Sequence, residues 1–256
     1  MMLAILQART SSSRLPGKVL KPLLGVPMLL RQVERIGRAN SIDRLLVATS
    51  NDSSDDPIAA LCRDNGILFY RGSLEDVLDR YYQAAKGCNP EHVVRLTGDC
   101  PLIDPEVINR VIRFYIEGAF DYASNTVSPT FPDGLDVEVF RFSCLEAAWR
   151  EARLASQREH VTPFMHQQPV RFRVGCLRHE RDLSNMRWTV DQAEDFEFVA
   201  QVYEALYRAK PGFDMEDVLR LLECKPELMD INAQFQRNEG YLKSLAKDAS
   251  TDANET

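Results

Sequence analysis

Short apolar runs alternate with helical patterns over the first hundred residues, and this alternation limits the chain to few folds. The first run is Leu3 to Leu6, and three further runs of strand length follow at residues 44–49, 67–70 and 92–96. Between these runs, apolar residues recur at helical spacing. Strands separated by helices form a parallel sheet with right-handed crossovers. The sequence therefore predicts an α/β fold with a central, mostly parallel sheet flanked by helices.

A polar loop follows each of these four strands. The loops are residues 9–18, 50–52, 71–73 and 98–101. Parallel strands bring their carboxyl ends to one edge of the sheet, and α/β proteins bind ligands at that edge, near a switch in strand order. We therefore expect one binding site to which all four loops contribute.

The first of these loops has the features of a phosphate-binding segment. Arg14 and Lys18 stand among three serines and Gly17. Backbone N–H groups of such a loop can surround an anion, and the two cations add full charges. A Walker A loop would need glycine in place of Ser12 and a hydroxyl in place of Val19, and the dinucleotide fingerprint is absent. The sequence predicts a nucleoside triphosphate site of another kind, and the alternative is a solvated basic surface loop.

Two aspartates follow predicted strands and could bind a metal. Asp99 stands at the end of the fourth strand, and Asp191 follows the predicted strand 187–190. Two carboxylates at one sheet edge suit Mg²⁺, with water and phosphate oxygens as the other ligands. The alternatives are a turn aspartate for Asp99 and a helix N-cap for Asp191. Because no covalent nucleophile is evident, the set favours nucleotidyl transfer, in which an acceptor oxygen attacks the α-phosphate and pyrophosphate leaves.

The composition limits the partners and the location of the protein. A net charge of −7 over 256 residues provides no general basic surface, so we expect no nucleic acid partner. No apolar run approaches the ~20 residues of a membrane helix, so we expect no membrane partner. Six cysteines without a Cys-x-x-Cys pair argue against zinc and disulfides and predict a cytoplasmic protein.

Several segments resemble the CMP-sugar cytidylyltransferases, especially the CMP-KDO synthetases. The first motif of that family is similar to Gln7-Ala8-Arg9, to Ser-Arg-Leu-Pro-Gly-Lys at 13–18 and to Gly-Val-Pro-Met at 25–28. The second motif is similar to Thr-Gly-Asp-Cys-Pro at 97–101, and the third to Val-Asp-Gln-Ala-Glu-Asp at 190–195. Residues 71–73, 76–82, 131–138 and 158–163 resemble the SpsF-like branch, named for spore coat polysaccharide synthesis. The similarity covers roughly residues 3 to 205.

This resemblance implies a GT-A-like, Rossmann-like nucleotidyltransferase fold with a small β-rich subdomain, the substrate CTP, the cofactor Mg²⁺ and a homodimer. It implies that Asp99 and Asp191 are metal ligands, which with Arg14 and Lys18 make up the predicted catalytic set. The predicted nucleotide contacts are Ala8, Arg9, Ser13, Arg14, Lys18, Arg71, Thr97 and Asp99. The predicted acceptor contacts are Asp133, Asp136, Glu138, Arg158 and His160.

The predicted function is the CTP-dependent activation of an acidic sugar for surface polysaccharide or glycan synthesis. One alternative is a GT-A glycosyltransferase, but that chemistry usually uses an Asp-x-Asp motif, which Asp-Cys-Pro at 99–101 is not. The other is a nucleotide-binding scaffold without turnover. We predict a single domain over residues 1–245: a nucleotide-binding half (1–120), an acceptor and dimerisation subdomain (121–186) and C-terminal helices (187–245). Residues 246–256 are expected to form a disordered tail.

Overall fold

The computed structural model describes residues 1–237 and 239–252. Its strands are β1 (Met2–Gln7), β2 (Pro22–Leu23), β3 (Val26–Pro27), β4 (Arg44–Ser50), β5 (Phe69–Gly72), β6 (His92–Thr97), β7 (Tyr122–Ser124), β8 (Glu138–Arg141) and β9 (Val174–Cys176). Its helices are α1 (Met28–Ile36), α2 (Asp56–Asp64), α3 (Val77–Lys86), α4 (Pro105–Glu117), α5 (Phe142–Glu151), α6 (Ala155–His160), α7 (Pro163–His166), α8 (Ala193–Leu206), α9 (Met215–Cys224) and α10 (Glu239–Asp252).

Seven strands form the central sheet in the order β5-β4-β1-β6-β8-β7-β9, and β2 and β3 form a separate two-stranded ribbon. The pairs β1–β4, β1–β6, β4–β5 and β7–β9 are parallel, whereas β8 is antiparallel to both β6 and β7. The chain runs from β1 to β4 and β5 on one side and then returns to place β6 on the other side of β1. The switch in strand order therefore lies between β1 and β6, where a ligand crevice is expected.

The sheet is buried on both faces. In β1, Ala4 and Leu6 join the apolar cluster under α1, α4 and α8, while Leu3 and Ile5 join the cluster under α3 and α5. All four of these side chains are buried, which explains why β1 is a continuous apolar run rather than an alternating one. The helices thus cover both faces and leave the carboxyl edge of the sheet for polar loops.

The predicted α/β fold with a mostly parallel sheet is confirmed, but the small β-rich subdomain is not. Residues 121–186 contribute β7, β8 and β9 to the central sheet, together with α5, α6 and α7. The predicted strand at 187–190 was also wrong: there Arg187 makes only an isolated bridge to Asp133. The Trp188 N–H donates to the Asp133 carbonyl at 2.6 Å, but among the described residues no strand continues this pairing.

The predicted disordered tail is helical as far as Asp252, and residues 253–256 lie outside the described part of the chain. Side-chain contacts with α6 account for this helix. Ser244 and Asp248 of α10 are buried, and the Asp248 carboxylate accepts a hydrogen bond from the Ser156 N–H at 3.2 Å. Over the described residues, no helix is long and apolar enough to span a membrane.

Candidate active site

A polar cleft of about 500 Å³ opens at the carboxyl ends of β1 and β6. The loops after these strands, the segments 133–136 and 187–191, α6 and α10 line it. Most of the predicted site residues lie in this one cleft: Ala8, Arg9, Ser13, Arg14, Lys18, Thr97, Asp99, Asp133, Asp136, His160 and Asp191. The expectation of one site at the switch in strand order therefore agrees with the structure, but only two of the four predicted loops, those after β1 and β6, line the cleft, whereas residues 50–52 and 71–73 do not.

The loop after β1 is fixed by hydrogen bonds at both ends. The buried carboxylate of Asp55 accepts from the Thr10 N–H at 2.7 Å and from the Thr10 hydroxyl at 2.8 Å. The Gly17 N–H donates to the Thr10 carbonyl at 2.9 Å, and Gly17 has a φ of +68°, which favours glycine. A 3₁₀ turn, Lys18–Leu20, then begins. This backbone path directs Lys18 inward, toward the end of β6.

Lys18 bridges the two predicted metal ligands. Its side chain is only 9 % exposed, and its Nζ donates to Asp99 Oδ2 at 3.1 Å, to Asp191 Oδ1 at 2.8 Å and to the Val190 carbonyl at 2.7 Å. Burial acts to lower the pKa of Lys18, but the charges of Asp99 and Asp191 outweigh it, so the pKa is raised. Burial acts to raise the pKa of Asp99, but Lys18 and a hydrogen bond from Thr97 hold it at about 2. Lys18 and Asp99 are therefore both charged at neutral pH.

Asp99 reaches the cleft because Gly98 permits a close approach of β6 to β1. The Gly98 N–H donates to the Gln7 carbonyl at 2.7 Å, and a Cβ at position 98 would lie 2.7 Å from that same oxygen. Any side chain there would separate the two strand ends. Asp99 and the loop carrying Lys18 thus meet at the point where the two strands end.

Asp191 faces the cations of the first loop and does not cap a helix. The N-cap of α8 is Gln192, in a capping box with Asp195. Asp191 instead pairs with Arg14, Nη2 to Oδ2 at 2.8 Å, and with Lys18. The N-cap alternative is therefore excluded, and the cationic loop and the two distant aspartates form one cluster.

Arg187 supports this ionic cluster through its contacts with Asp195 and Asp191. It was not predicted from the sequence. It binds both carboxylate oxygens of Asp195, Nε at 2.8 Å and Nη2 at 2.9 Å, and its Nη2 lies 3.5 Å from Asp191 Oδ2. Asp195 is fully buried and also accepts from the N–H groups of Asp191 and Gln192. Burial acts to raise the pKa of Asp195, but these hydrogen bonds and the Arg187 charge lower it. The Arg187–Asp195 pair thus orients Asp191.

Asp195→Asn is expected to lower the free energy of unfolding by about 3 kcal/mol, because it removes the nearest charged partner of the buried guanidinium of Arg187 and leaves only the longer contacts with Asp133 and Asp191. Urea unfolding measures this loss. The matched control is Asp217→Asn, since Asp217 holds the same capping-box position in α9 but pairs with the exposed side chains of Lys210 and Arg220. That variant should lose only about 1 kcal/mol. Equal losses in the two variants would contradict this role of Asp195.

The donor set of the cleft fits Mg²⁺ with two protein ligands. Asp99 and Asp191 both contact the same ammonium group, so their carboxylates already surround one cation. Carboxylate oxygens are the ligands that Mg²⁺ prefers, and it commonly takes one or two of them together with water and phosphate. Within residues 1–237 and 239–252, no group of three or more His, Cys, Asp or Glu side chains is arranged to hold a metal. Phosphate and water would therefore supply the remaining ligands.

Asp133 and Asp136 form a second acidic pair in the cleft, and each of them contacts an arginine. Arg237 Nη2 donates to Asp136 Oδ1 at 2.5 Å, and Arg187 Nη1 lies 3.4 Å from Asp133 Oδ2. Burial and the neighbouring charge of Asp136 raise the pKa of Asp133 to about 7. Gly134 between them has a φ of +107°, and a Cβ there would lie 2.6 Å from the Thr189 nitrogen. This glycine lets the acidic pair pack against the segment that leads to Asp191.

His160 lies in the cleft, and contacts from α6 and α10 fix its ring. Its Nε2 is 3.0 Å from the Ser244 hydroxyl, which donates to Glu159 at 2.7 Å. Because that hydroxyl proton is given to Glu159, Nε2 must carry the proton that joins His160 to Ser244. Burial lowers the pKa of His160, so the imidazole is neutral at pH 7.

Three predicted contact residues lie outside the cleft lining, so the structure does not support direct ligand contacts for them. Arg71 donates to the carbonyls of Ser50 and Asp52, both at 2.8 Å, and pairs with Asp56. Glu138 is buried with Arg95 and accepts from Thr162 at 2.6 Å and from Tyr122 at 2.7 Å. Arg158 pairs with Asp76 at a shallow surface depression. Each of these three charged side chains therefore connects neighbouring parts of the fold.

The sequence of the chain is similar to those of known proteins. A family model described as cytidylyltransferase matches residues 3–235. The spore coat polysaccharide biosynthesis protein SpsF of Bacillus subtilis is 33% identical, over 88% of this chain and 95% of its own length. The 3-deoxy-manno-octulosonate cytidylyltransferase of Anaeromyxobacter dehalogenans is 43% identical over 111 residues, which are 42% of this chain and 44% of that enzyme.

A solved structure extends the comparison to the fold. The structure of a cytidylyltransferase from Leptospira borgpetersenii superposes with a TM-score of 0.86 at 30% identity, covering 92% of this chain and 99% of that one. The family model covers most of the chain, and the nucleotidyltransferase fold is shared. The chain therefore belongs to the cytidylyltransferase family.

Proposed function

We propose that the protein transfers a cytidylyl group from CTP to an acidic sugar and releases pyrophosphate. The observation that carries the proposal is the ionic cluster in the cleft, where Lys18 contacts both Asp99 and Asp191 and Arg14 contacts Asp191. Cations for a triphosphate and carboxylates for a metal are thus in one place, as nucleotidyl transfer needs.

In the proposed mechanism, Arg14 and Lys18 hold the triphosphate and take up the charge that develops on the leaving pyrophosphate. Asp99 and Asp191 would hold Mg²⁺, which when bound would neutralise part of the charge of the triphosphate. Cytosine contacts are proposed for Ala8 and Arg9 at the end of β1, and further nucleotide contacts for Ser13 and Thr97, all of which line the cleft.

The acceptor is proposed to bind beside Asp133, Asp136 and His160. These residues line the cleft, and none of them is among the proposed nucleotide contacts. A carboxyl with a pKa near 7, as at Asp133, suits a group that accepts the proton of the attacking hydroxyl. The names of the relatives support a sugar acceptor, since one is a 3-deoxy-manno-octulosonate cytidylyltransferase and SpsF is a polysaccharide biosynthesis protein. The homodimer and the cytoplasmic location remain predictions.

The test is pyrophosphate release with each of the four ribonucleoside triphosphates across a panel of 2-keto sugar acids. We expect release with CTP in the presence of Mg²⁺ and one of these acceptors. Hydrolysis or transfer of a preformed nucleotide sugar instead would indicate the glycosyltransferase alternative. Nucleotide binding without any turnover on the whole panel would contradict the proposal and indicate a scaffold.

A further inference from the structure

The C-terminal helix α10 lines part of the cleft. Neither the composition of this helix nor any sequence motif predicts that position. Glu239, Gly240, Tyr241 and Ser244 line the cleft together with the residues of the first loop. The first residue of the helix, Glu239, pairs with Arg14, Oε2 to Nη1 at 3.0 Å. The two side chains are 30 % and 27 % exposed, so the pair is half-buried. A carboxylate of the chain itself thus contacts a cation of the phosphate loop.

Contacts of the residues on both sides of Glu239 hold its stretch of backbone beside the cleft. Before it, Arg237 donates to Asp136, and the Gln236 carbonyl accepts from Arg187 at 3.1 Å. After it, Ser244 contacts Glu159 and His160. The backbone at Glu239 is therefore held at the cleft by neighbours that contact the acceptor side and Arg187, whereas the Glu239 side chain itself contacts Arg14.

The guanidinium group of Arg14 contacts two carboxylates, that of Glu239 and that of Asp191 in the ionic cluster. Its Nη1 faces Glu239, while its Nη2 faces Asp191 at 2.8 Å. An incoming phosphate oxygen needs the same guanidinium donors, because arginine binds phosphate and carboxylate with the same fork of N–H groups. The carboxylate of Glu239 and the triphosphate also repel each other when both are close to Arg14.

We propose that Glu239 is a further residue of the phosphate site: it occupies Arg14 while the cleft holds no nucleotide, leaves when the triphosphate binds, and returns as pyrophosphate departs. This inference rests on the proposed function. The covalent steps of the reaction are unchanged, since Glu239 only exchanges one ionic contact for another. Its consequence is that phosphate affinity is kept below what Arg14 alone would provide, which favours release of the product.

The experiment is calorimetric binding of pyrophosphate, tripolyphosphate and CTP, each with Mg²⁺, to the full chain and to Glu239→Gln. The amide keeps the size of the side chain and removes the competing charge. We expect two- to fivefold tighter binding of all three ligands, about the effect of a partly exposed ion pair. The matched control is Glu204→Gln, an exposed position of α8 that changes the net charge equally and should leave affinity unchanged.

A second pair of variants tests whether Arg14 mediates the effect. In an Arg14→Ala background, Glu239→Gln should no longer tighten the binding of tripolyphosphate. Unchanged or weaker binding in Glu239→Gln, an equal gain in Glu204→Gln, or a gain that persists without Arg14 would each overturn the inference. Because inorganic tripolyphosphate carries no base, its binding tests the role of Glu239 independently of which nucleotide the protein prefers. Tighter tripolyphosphate binding in a protein without a preference for CTP would support the inference while contradicting the proposed function.

Discussion

Asp191→Asn is expected to slow pyrophosphate release from CTP by at least about a hundredfold, comparable to the loss of one electrostatic group that stabilises a transition state. The carboxylate of Asp191 would be one of two metal ligands, and it also orders Arg14 and Lys18. Asparagine keeps the size of the side chain and loses the charge. The fold should persist, because Lys18 keeps its contact with Asp99 and Asp195 keeps the two N–H groups that begin α8.

The measurement pairs turnover with calorimetric CTP binding at zero and saturating Mg²⁺. In the unmodified protein Mg²⁺ should strengthen CTP binding, whereas in Asp191→Asn it should have little effect. Asp230→Asn, at an exposed aspartate in the short 3₁₀ helix Pro226–Asp230, serves as the control and should behave like the unmodified protein. Full turnover by the Asp191 variant would refute its assignment to the metal site.

The sequence was informative where the strand order alone determines the position of a residue. Asp99 and the loop carrying Arg14 and Lys18 follow the adjacent strands β6 and β1, whose ends lie next to each other in a parallel pairing. Any parallel sheet with these neighbours would bring the two loops together. Asp191 was harder, because the sequence placed it at the end of a predicted strand, 187–190, that the structure does not contain. Only the resemblance to the family motif supports its position independently of that strand.

The sequence was misleading for charged residues whose partners are distant in the chain. Arg71, Glu138 and Arg158 occur in motif-like segments, but a motif does not distinguish a ligand contact from a structural ion pair. The partner of Glu138 is Arg95, 43 residues away, and the partner of Arg158 is Asp76, 82 residues away. Such pairs form only when the sheet and the helices are assembled, and local patterns carry no information about them.

The same argument explains the residues that were missed. Arg187 contacts Asp133, 54 residues earlier in the chain, and Arg237 contacts Asp136, 101 residues earlier, so no local pattern connects either arginine with the second acidic pair of the cleft. Residues 246–256 were predicted to be disordered, because the end of the chain is small, polar and acidic. Residues 246–252 instead continue helix α10, which packs against α6, so tertiary packing overrides local propensity.

Lys18→Met is expected to weaken the binding of Mg²⁺–tripolyphosphate and of CTP by at least about tenfold, since it removes a buried charge-assisted donor from the phosphate site. Methionine retains much of the apolar stem of the side chain. The change also leaves Asp99 and Asp191 close together without the cation between them. We therefore expect a loss of about 1–3 kcal/mol in the free energy of unfolding at pH 7, the cost of partly buried charged groups that lose a partner.

The pH dependence of stability follows from the same cluster. The pKa of Asp99 is lowered to about 2 in the folded protein, below its ordinary value of 3.8, so its contribution to stability is fully present above about pH 4 and is lost as the pH falls toward 2. The pKa of Lys18 is raised above 10.5, so its contribution is present below that pH and is lost as the pH rises through the higher folded value. In Lys18→Met the acid-side loss should shrink, because the charge that lowers the pKa of Asp99 is gone.

The matched control for both measurements is Lys21→Met. Lys21 ends the same 3₁₀ turn, but its ammonium group lies over the ring of Phe196, 5.0 Å from the centroid, and outside the cleft lining. Its removal changes the net charge by the same amount, so a general loss of positive charge would weaken tripolyphosphate binding equally in both variants. A tenfold difference between them, together with a smaller acid-side loss of stability in Lys18→Met alone, would locate the effect at the contacts with Asp99 and Asp191. Equal binding by the two variants would show that Lys18 is a structural cation of the cluster and takes no part in holding phosphate.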